Sequence, residues 1–359
     1  MGSMSWSWMA AGVACSALVC PAPAVAAEHV VVHHAPGRFA GWPANNGVWA
    51  WGDEILVGFQ LGHYKASVEG HSLDRDRESH GALARSCDGG RTWHVEEPES
   101  LLSRDTVPLT EPVRFSNPDV ALRVERDRFR VSYDRGHTWQ GPYDLAASFP
   151  FRLTARTDYL VTGAADCLMF LSGEQPEIKA AGYHDRAFCA RTTDGGRSFR
   201  FVSWMTGEPL TVRSVMPATV RVGPTELVAV LRRRDGDRCW IDACGSDDDG
   251  LTWSHRGKVA DVAGNNGNPP SLVRLPDGRL CVAYGSRLDP CGILATLSDD
   301  GGRTWSGRIV LRDDGRTWDL GYPRTVVRPD GRLVTIYYFT TSEKPEQHIA
   351  ATIWQPHAR

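Results

Sequence analysis

The sequence lacks a concentrated block of positive charge. Its 40 Lys and Arg residues are nearly balanced by 43 Asp and Glu residues, and no run of like charge stands out beyond the three arginines at 232–234. Proteins that bind nucleic acids present a concentrated basic face to the phosphates. We therefore expect no nucleic-acid partner.

Long hydrophobic segments are also scarce. The apolar run at Met9–Cys20 is too short for a membrane span, and no later segment approaches one. A Pro- and Ala-rich stretch follows it, which is typical of a signal peptide cleaved near Ala26 or Ala27, although no Lys or Arg precedes the run. We predict that residues 1–27 are a signal peptide and that the mature protein is secreted or periplasmic; a membrane-anchored start is the alternative.

No pair of cysteines has the spacing of a zinc site, so we predict no structural metal. Seven of the nine cysteines follow the predicted signal peptide, and an odd number leaves at least one free or shared between chains. Cys281 and Cys291 flank a predicted hairpin loop. Cys167 and Cys189 lie on two candidate neighbouring strands. Either pair is a candidate disulfide in an oxidising compartment, and buried free thiols are the alternative.

Glycine and tryptophan, in contrast, are plentiful. The sequence has 36 Gly and 13 Trp and few long helical patterns, which indicates short strands joined by tight turns. It also repeats an eight-residue pattern, Ser/Thr-x-Asp-x-Gly-x-Thr/Ser-Trp/Phe, which we call the box. The boxes start at Ser86, Ser132, Thr192, Ser246 and Ser298.

The residue types of the box are those of a hairpin turn. A short acceptor side chain binds the turn amides, a glycine adopts positive φ, and the aromatic ring packs between neighbouring sheets. Successive boxes start 46 to 60 residues apart, which is the range of the four-stranded blades of a β-propeller. We therefore predict that each repeat is one blade.

Two further hairpins have the same design. Segments Pro270–Tyr284 and Tyr322–Tyr337 alternate apolar and polar residues around an Asp-Gly turn. No box follows the second, but His348–Trp354 lies where another strand is expected. Together with the opening strands Gly47–Trp51 and Glu54–Phe59, it predicts a sixth sheet and closure of the ring between the two ends of the chain.

No linker or low-complexity stretch divides the chain after the predicted signal peptide. We therefore predict that residues 28–359 form one all-β domain, a six-bladed β-propeller of four-stranded antiparallel sheets. The boxes are expected on outer hairpins, away from the axis.

The box on a secreted all-β chain resembles the Asp-box, or BNR repeat, of the sialidase (neuraminidase) superfamily, over nearly all of the mature sequence. The resemblance implies that three arginines bind the carboxylate of the substrate, that an Asp is the acid/base, and that a Tyr activated by a Glu attacks the anomeric carbon. A neutral phenol suits this role because the substrate carboxylate would repel an Asp or Glu nucleophile. Guanidinium groups bind a carboxylate in a bidentate fork.

The resemblance gives three candidate arginines for substrate binding. Arg38 lies in a segment similar to the first Arg-x-Pro motif of the family, with two extra residues before Trp42. Arg232 lies at the offset of the second arginine, and Arg287 is the candidate for the third. The alternative is that each is a surface or hairpin arginine.

The resemblance also gives the catalytic candidates. Tyr322, in the segment Asp319–Pro323, is the candidate nucleophile. Asp74 fits the position of the acid/base, with Asp76 as the close alternative. The alternative for both residues is that they belong to a charged, solvent-exposed loop without a catalytic role.

The sequence departs from the family at the residue that activates the nucleophile. Met216 lies where the Glu is expected, and a thioether cannot accept a proton from a phenol. Asp319 is the candidate replacement, while Asp242 and Glu226 are more distant options.

These candidates predict an exo-acting glycoside hydrolase that releases a terminal sialic acid or related acidic sugar from glycans, without a cofactor. One alternative is a carbohydrate-active propeller of different specificity, for a uronic acid or a neutral polysaccharide. The other is a non-catalytic glycan-binding propeller, because fold alone does not determine function. The sequence does not identify any protein partner.

Overall fold

A computed structural model of the protein describes most of the chain after the predicted signal peptide. The described residues are 26–154, 156–175, 185–207, 212–262, 264 and 266–357. Residues 1–25, which contain most of the predicted signal peptide, lie outside them.

The described residues form 24 strands and very little helix. In chain order the strands are β1 (Ala27–His33), β2 (Arg38–Gly41), β3 (Val48–Trp51), β4 (Glu54–His63), β5 (His80–Ser86), β6 (His94–Glu96), β7 (Ala121–Glu125), β8 (Arg128–Ser132), β9 (Gln140–Asp144), β10 (Tyr159–Val161), β11 (Cys167–Glu174), β12 (Asp185–Thr192), β13 (Arg200–Trp204), β14 (Arg213–Arg221), β15 (Leu227–Asp235), β16 (Arg238–Ser246), β17 (Ser254–Asp261), β18 (Ser271–Arg274), β19 (Leu280–Ser286), β20 (Cys291–Ser298), β21 (Ile309–Gly315), β22 (Gly321–Val327), β23 (Leu333–Phe339) and β24 (His348–Trp354). The helical turns are α1 (Pro43–Asn46), α2 (Glu99–Leu102) and a 3-10 turn (Ala146–Ser148).

The strands form six antiparallel sheets, the blades of a β-propeller. The sheets contain β2–β6, β7–β9, β10–β13, β14–β17, β18–β21, and β22–β24 with β1. The prediction of an all-β, six-bladed propeller is therefore confirmed. Two sheets differ from the simple four-stranded pattern. In the first blade, β2 and β3 both pair with β4, and α1 lies between them in the chain. The second blade has three strands.

The two ends of the chain close the ring. Strand β1 pairs with β24 antiparallel, with Ala27 opposite Trp354. Closure between the ends was predicted from the sequence, but the N-terminal partner lies earlier than expected. The segments Gly47–Trp51 and Glu54–Phe59 belong to the first blade, and β1 completes the last one. Strand β1 is hard to recognise from its sequence because four of its seven residues are exposed and its burial does not alternate.

The hydrophobic core lies between neighbouring blades. Ile55 and Phe59 of the first blade, for example, belong to the same buried cluster as Ile336 and Tyr338 of the last blade. Every residue of β23 and β24 is buried. These strands are covered on both faces, so their sequences show long apolar stretches rather than strict alternation.

The boxes form the turn between the last two strands of a blade. In the first box, Ser86 Oγ accepts a hydrogen bond from Gly90 N at 2.8 Å, and Asp88 accepts one from Thr92 N at 2.9 Å. Burial acts to raise the pKa of Asp88, but the hydrogen bonds from Thr92 and Ser86 lower it to about 2. No box residue lines the axial cavities described below. The boxes therefore stabilise the blades and take no part in the site.

The box tryptophans differ in burial, and this predicts a difference in stability. Trp139 is 4 % exposed and packs against Trp49, with ring centroids 5.5 Å apart, whereas Trp253 is only half-buried. We expect Trp139→Ala to lower the free energy of unfolding by about 3–5 kcal/mol through the cavity that it leaves. Trp253→Ala should cost clearly less. Denaturant unfolding of both variants measures the difference, and equal losses would contradict it.

The seven cysteines at residues 87 to 291 are free thiols. Register explains why the two candidate pairs do not form. Cys281 lies opposite Leu297, while Cys189 lies opposite Phe170 rather than Cys167. Among the described residues, the helical turns are too short to cross a membrane.

Candidate functional site

Four of the described non-glycine residues with left-handed backbone line the cavities near the propeller axis. Arg126, Met216, Asn266 and Tyr322 have φ values of 58°, 56°, 69° and 50°. Met216 and Tyr322 lie in irregular segments, where the pairing of β14 with β15 and of β22 with β23 shifts register. Such conformations are unfavourable for large side chains and persist where the surrounding structure imposes them. Strained residues from several blades therefore mark these cavities as a candidate site.

The strained residues surround two connected cavities. The larger has a volume of about 590 Å³ and the smaller of about 270 Å³. Both are lined by Arg213, Arg232 and Tyr322. The larger also includes His71, Arg287, Trp318 and part of the loop between β4 and β5, and the smaller includes Arg126, Arg156, Asp185 and Met216.

Two of the arginines lie directly against Tyr322. The guanidinium of Arg232 donates a hydrogen bond from Nη1 to the Tyr322 hydroxyl at 3.5 Å. Arg287 lies 5.7 Å from the centroid of the Tyr322 ring and 5.2 Å from that of Trp318. The structure therefore brings together three of the six residues that sequence reasoning selected for the site, which are Arg232, Arg287 and Tyr322.

Arg232 is a buried cation without a carboxylate partner. It is 5 % exposed, and in the described part of the chain no Asp or Glu oxygen lies within ion-pair distance of it. Its Nε makes no hydrogen bond. Burial lowers the pKa of Arg232, and the charges of Arg213 and Arg287 lower it further against the opposing effect of Tyr322. Because an unpaired buried charge is unfavourable, this position is suited to an anionic ligand.

The same arginines change the acidity of Tyr322. Burial alone raises the pKa of this phenol, but the positive charges of Arg232 and Arg287 outweigh burial and lower it below its usual value. Met216 packs against Tyr322 in a small apolar cluster with Ala44 and Val215. A thioether therefore contacts the tyrosine, and the phenolate is stabilised by cations rather than generated by a neighbouring Glu.

This arrangement predicts that Tyr322 ionises at a lower pH than an ordinary tyrosine. The ultraviolet absorbance of tyrosinate should appear below pH 10 in the wild type, and Tyr322→Phe should remove that early phase. Removing the charge of Arg232 should move the phase to higher pH. Tyr159→Phe is the control, because burial raises the pKa of Tyr159 to about 12. An early phase that survives Tyr322→Phe would contradict the prediction.

Asp319 is close to Tyr322 in sequence but bonds to other groups. Its Oδ1 accepts hydrogen bonds from His71 Nδ1 at 2.5 Å and from the Tyr338 hydroxyl at 2.7 Å. Its Oδ2 accepts one from Ser72 N at 2.9 Å. Burial acts to raise the pKa of Asp319, but these hydrogen bonds and His71 lower it overall. Both oxygens are thus engaged away from the Tyr322 hydroxyl.

Arg38 does not join the other two predicted arginines. Its Nη1 lies 3.2 Å from His63 Nε2, where β2 pairs with β4, and it does not line either cavity. The two extra residues, Ala40 and Gly41, continue β2 up to Trp42, so the arginine lies along the strand away from the cavity.

The two candidate acid/base aspartates lie on the loop between β4 and β5. Asp74 is not among the residues that line the cavity, and its Oδ1 lies 3.6 Å from Lys65 Nζ. Asp76 lines the outer part of the cavity, is 83 % exposed and binds the same lysine at 3.0 Å. The more distant options do not line the cavities: Asp242 pairs with Arg233 and His255 on the fourth blade, and Glu226 is exposed directly before β15.

Sequence reasoning missed several residues that line the site. Arg213 is three residues before Met216 on β14 and is held by Asp185, with its Nε 2.6 Å from Oδ2. Arg156 donates a hydrogen bond to Asn45 at 2.7 Å. His71 was visible only as a histidine beside the predicted acid/base loop. No spacing signal distinguished these residues from the many other arginines and histidines of the chain.

Fold and site together define a six-bladed β-propeller with an arginine-lined cavity on its axis. Residues 115–335 match the family described as BNR repeat-like domain. This match covers more than half of the chain, and the chain belongs to that family. No curated protein sequence matches the chain.

Similar solved structures include both uncharacterised proteins and glycosidases. A protein of unknown function from Dyadobacter fermentans has 22% sequence identity and a TM-score of 0.68, covering 92% of this chain and 98% of its own. A Hadza microbial sialidase has 15% identity and a TM-score of 0.58, covering 88% of this chain and 66% of its own. An α-L-arabinofuranosidase of Fusarium graminearum, in complex with arabinobiose, has 14% identity and a TM-score of 0.57, covering 89% and 93%. At these identities the likeness shows the shared propeller fold.

Proposed function

We propose that the protein is an exo-acting glycoside hydrolase of the sialidase type, which releases a terminal sialic acid or related acidic sugar from glycans. The observation that carries the proposal is Arg232, a buried cation that lacks a carboxylate partner and lies beside Arg287 and Arg213 in one cavity. The carboxylate of an acidic sugar supplies the missing anion in bidentate geometry. A neutral sugar leaves that charge uncompensated.

Tyr322 is the proposed nucleophile. Its hydroxyl contacts the guanidinium of Arg232, and the arginine charges favour the phenolate. The phenolate oxygen attacks the anomeric carbon, the bond to the leaving oxygen breaks, and water then hydrolyses the glycosyl-enzyme intermediate. Two displacements give retention of configuration.

A non-catalytic glycan-binding propeller is the second candidate. The observation that favours it is the contact of Met216 with Tyr322, because no carboxylate among the described residues hydrogen-bonds the phenol to remove its proton. Binding without hydrolysis needs the arginines but not a reactive tyrosine. The two candidates therefore differ in turnover and not in affinity for acidic sugars.

Incubation of the purified protein with defined glycans tests the proposal. The set should contain sialyllactose, uronic-acid-terminated oligosaccharides and arabino-oligosaccharides, with the products identified by mass spectrometry. Release of a free acidic monosaccharide supports the hydrolase, and proton NMR of the first product shows whether configuration is retained. Binding of acidic glycans without any product supports the second candidate, and release from arabino-oligosaccharides alone contradicts the acidic specificity.

We further propose that the protein is exported to the periplasm or outside the cell. The support is the apolar segment and small-residue stretch before Glu28. N-terminal sequencing of the protein purified from its host tests this, and a mature chain that still begins at Met1 would contradict it.

A further inference from the structure

A histidine on the wall of the larger cavity forms a hydrogen-bonded pair with an aspartate from a distant part of the chain. His71 lies on the loop between β4 and β5, and Asp319 lies immediately before β22, 248 positions later. Their side chains meet at 2.5 Å through Nδ1 and Oδ1.

The aspartate is held rigidly. The hydroxyl of Tyr338 donates to Oδ1 at 2.7 Å, and the backbone N–H of Ser72 donates to Oδ2 at 2.9 Å. Asp319 is 2 % exposed, whereas the side chain of His71 is 24 % exposed. A buried carboxylate with several donors orients the imidazole that it binds.

The other ring nitrogen of the histidine, Nε2, makes no hydrogen bond to any described residue. The ring lines the same cavity as Arg232 and Tyr322. The rings of His71 and Tyr322 are 6.4 Å apart between centroids and nearly perpendicular. Trp42 and Trp318 contact the same imidazole at 5.1 Å and 5.6 Å, so its orientation is restricted on both sides.

From this geometry we infer that His71 is the acid/base of the reaction and that Asp319 positions it. The inference rests on the proposed glycosidase function and assigns to His71 the role that the sequence suggested for Asp74.

The proposed reaction has two proton-transfer steps. In the first, the Nε2 proton of His71 passes to the glycosidic oxygen while that oxygen leaves the anomeric carbon and the Tyr322 phenolate bonds to it. In the second, Nε2 accepts a proton from water as the water oxygen attacks the anomeric carbon and the phenolate leaves. Asp319 keeps its charge throughout and stabilises the imidazolium.

Leaving-group dependence is the main test. His71→Asn keeps a donor at the position of Nδ1, and so retains the bond to Asp319, but removes the group that carries the proton. On sialyllactose, or on a uronic-acid disaccharide if that is the substrate, kcat/KM should fall on the order of 10²–10⁴-fold. On the 4-methylumbelliferyl glycoside of the same sugar, whose leaving group needs little protonation, the loss should be less than about tenfold.

The role of Asp319 has to be tested by a measurement that would not change if the residue were only structural. Asp319→Asn should show the same leaving-group dependence, and the double variant His71→Asn, Asp319→Asn should lose no more activity than His71→Asn alone. Proton NMR should show a far-downfield Nδ1–H resonance in the wild type that is lost in both variants. If Asp319→Asn does not fold, His71→Asn still tests the inference, because His71 is partly exposed at the cavity.

His255→Asn is the matched control. His255 pairs with Asp242 at 3.3 Å on the fourth blade, and its side chain is 61 % exposed and outside the cavity. It should retain wild-type activity on both substrates.

Four outcomes overturn the inference. Equal losses of His71→Asn on both substrates show a role other than proton transfer, and an absent downfield resonance in the wild type removes the pair itself. If Asp74→Asn loses activity in a leaving-group-dependent way while His71→Asn keeps wild-type activity, the acid/base is Asp74 and the hydrolase proposal remains intact. A wild-type protein that cleaves no glycoside contradicts the hydrolase proposal, and the inference is rejected with it.

Discussion

Replacing Tyr322 with Phe is expected to lower kcat by at least about 10³-fold, because the substitution removes the oxygen that attacks the anomeric carbon and little else. Among the described residues, the hydroxyl makes one hydrogen bond, to Arg232 at 3.5 Å, which is at the long limit of such bonds. We therefore expect the melting temperature to change little. Binding of an acidic sugar should persist, because the arginines stay in place.

Steady-state kinetics on the glycan that the wild type cleaves, together with thermal unfolding, measures both effects. Tyr284→Phe is a suitable control, since Tyr284 is buried in the core between the fourth and fifth blades and does not line the axial cavities. Wild-type turnover by Tyr322→Phe on every substrate would reject the sialidase-type mechanism and leave another catalytic set or a binding protein.

Replacing Arg232 with Met should have opposite effects on function and stability. Loss of the guanidinium should reduce kcat/KM for an acidic sugar by about 10²–10³-fold, in the range of about 2–5 kcal/mol for truncating one partner of a buried charge pair. Without ligand, however, Arg232 is a buried cation near Arg213 and Arg287. Its removal should leave the melting temperature unchanged or raise it.

The neighbouring residue on β15 provides the control for this prediction. Arg233 is 8 % exposed and lies 3.6 Å from Asp242, which is also buried. Arg233→Met should leave the affinity for substrate unchanged but lower the free energy of unfolding by about 1–3 kcal/mol, because Asp242 loses a buried partner. The two substitutions remove the same group from adjacent positions and should change stability in opposite directions.

Anion binding gives a second measurement. Sulfate or acetate should raise the melting temperature of the wild type and of Arg233→Met, but not that of Arg232→Met, because stabilisation by a ligand requires its binding site in the folded state. Equal stabilisation of all three proteins would indicate a general salt effect and would contradict the anion site at Arg232.

Much of the architecture was predictable because it depends on local chemistry. Each box contains the residues of its own turn, such as Ser86, Asp88 and Gly90 in the first, and their hydrogen bonds span four residues or fewer. Repetition of this turn at regular spacing predicts equal blades. The strand that closes the ring was harder to predict, because most residues of β1 are exposed and its pairing with β24 depends on the opposite end of the chain.

The site was predictable only in part. Arg232, Arg287 and Tyr322 were selected from a resemblance to family segments and lie together in the structure. Arg38 was selected in the same way and lies outside the cavity beside His63. A sequence offset fixes which strand a residue occupies, but the insertion after Arg38 changes where on that strand it lies.

By itself, the sequence determined the six-bladed all-β ring, because turn residues and strand periodicity act between near neighbours in the chain. Only the tertiary structure decided which charged groups meet at the axis. His71 and Asp319 are 248 positions apart, and the five residues Arg156, Arg213, Arg232, Arg287 and Tyr322 come from four different blades. Blade packing and the strained turns at Met216 and Tyr322 set their distances, and no pattern along the chain encodes those distances directly.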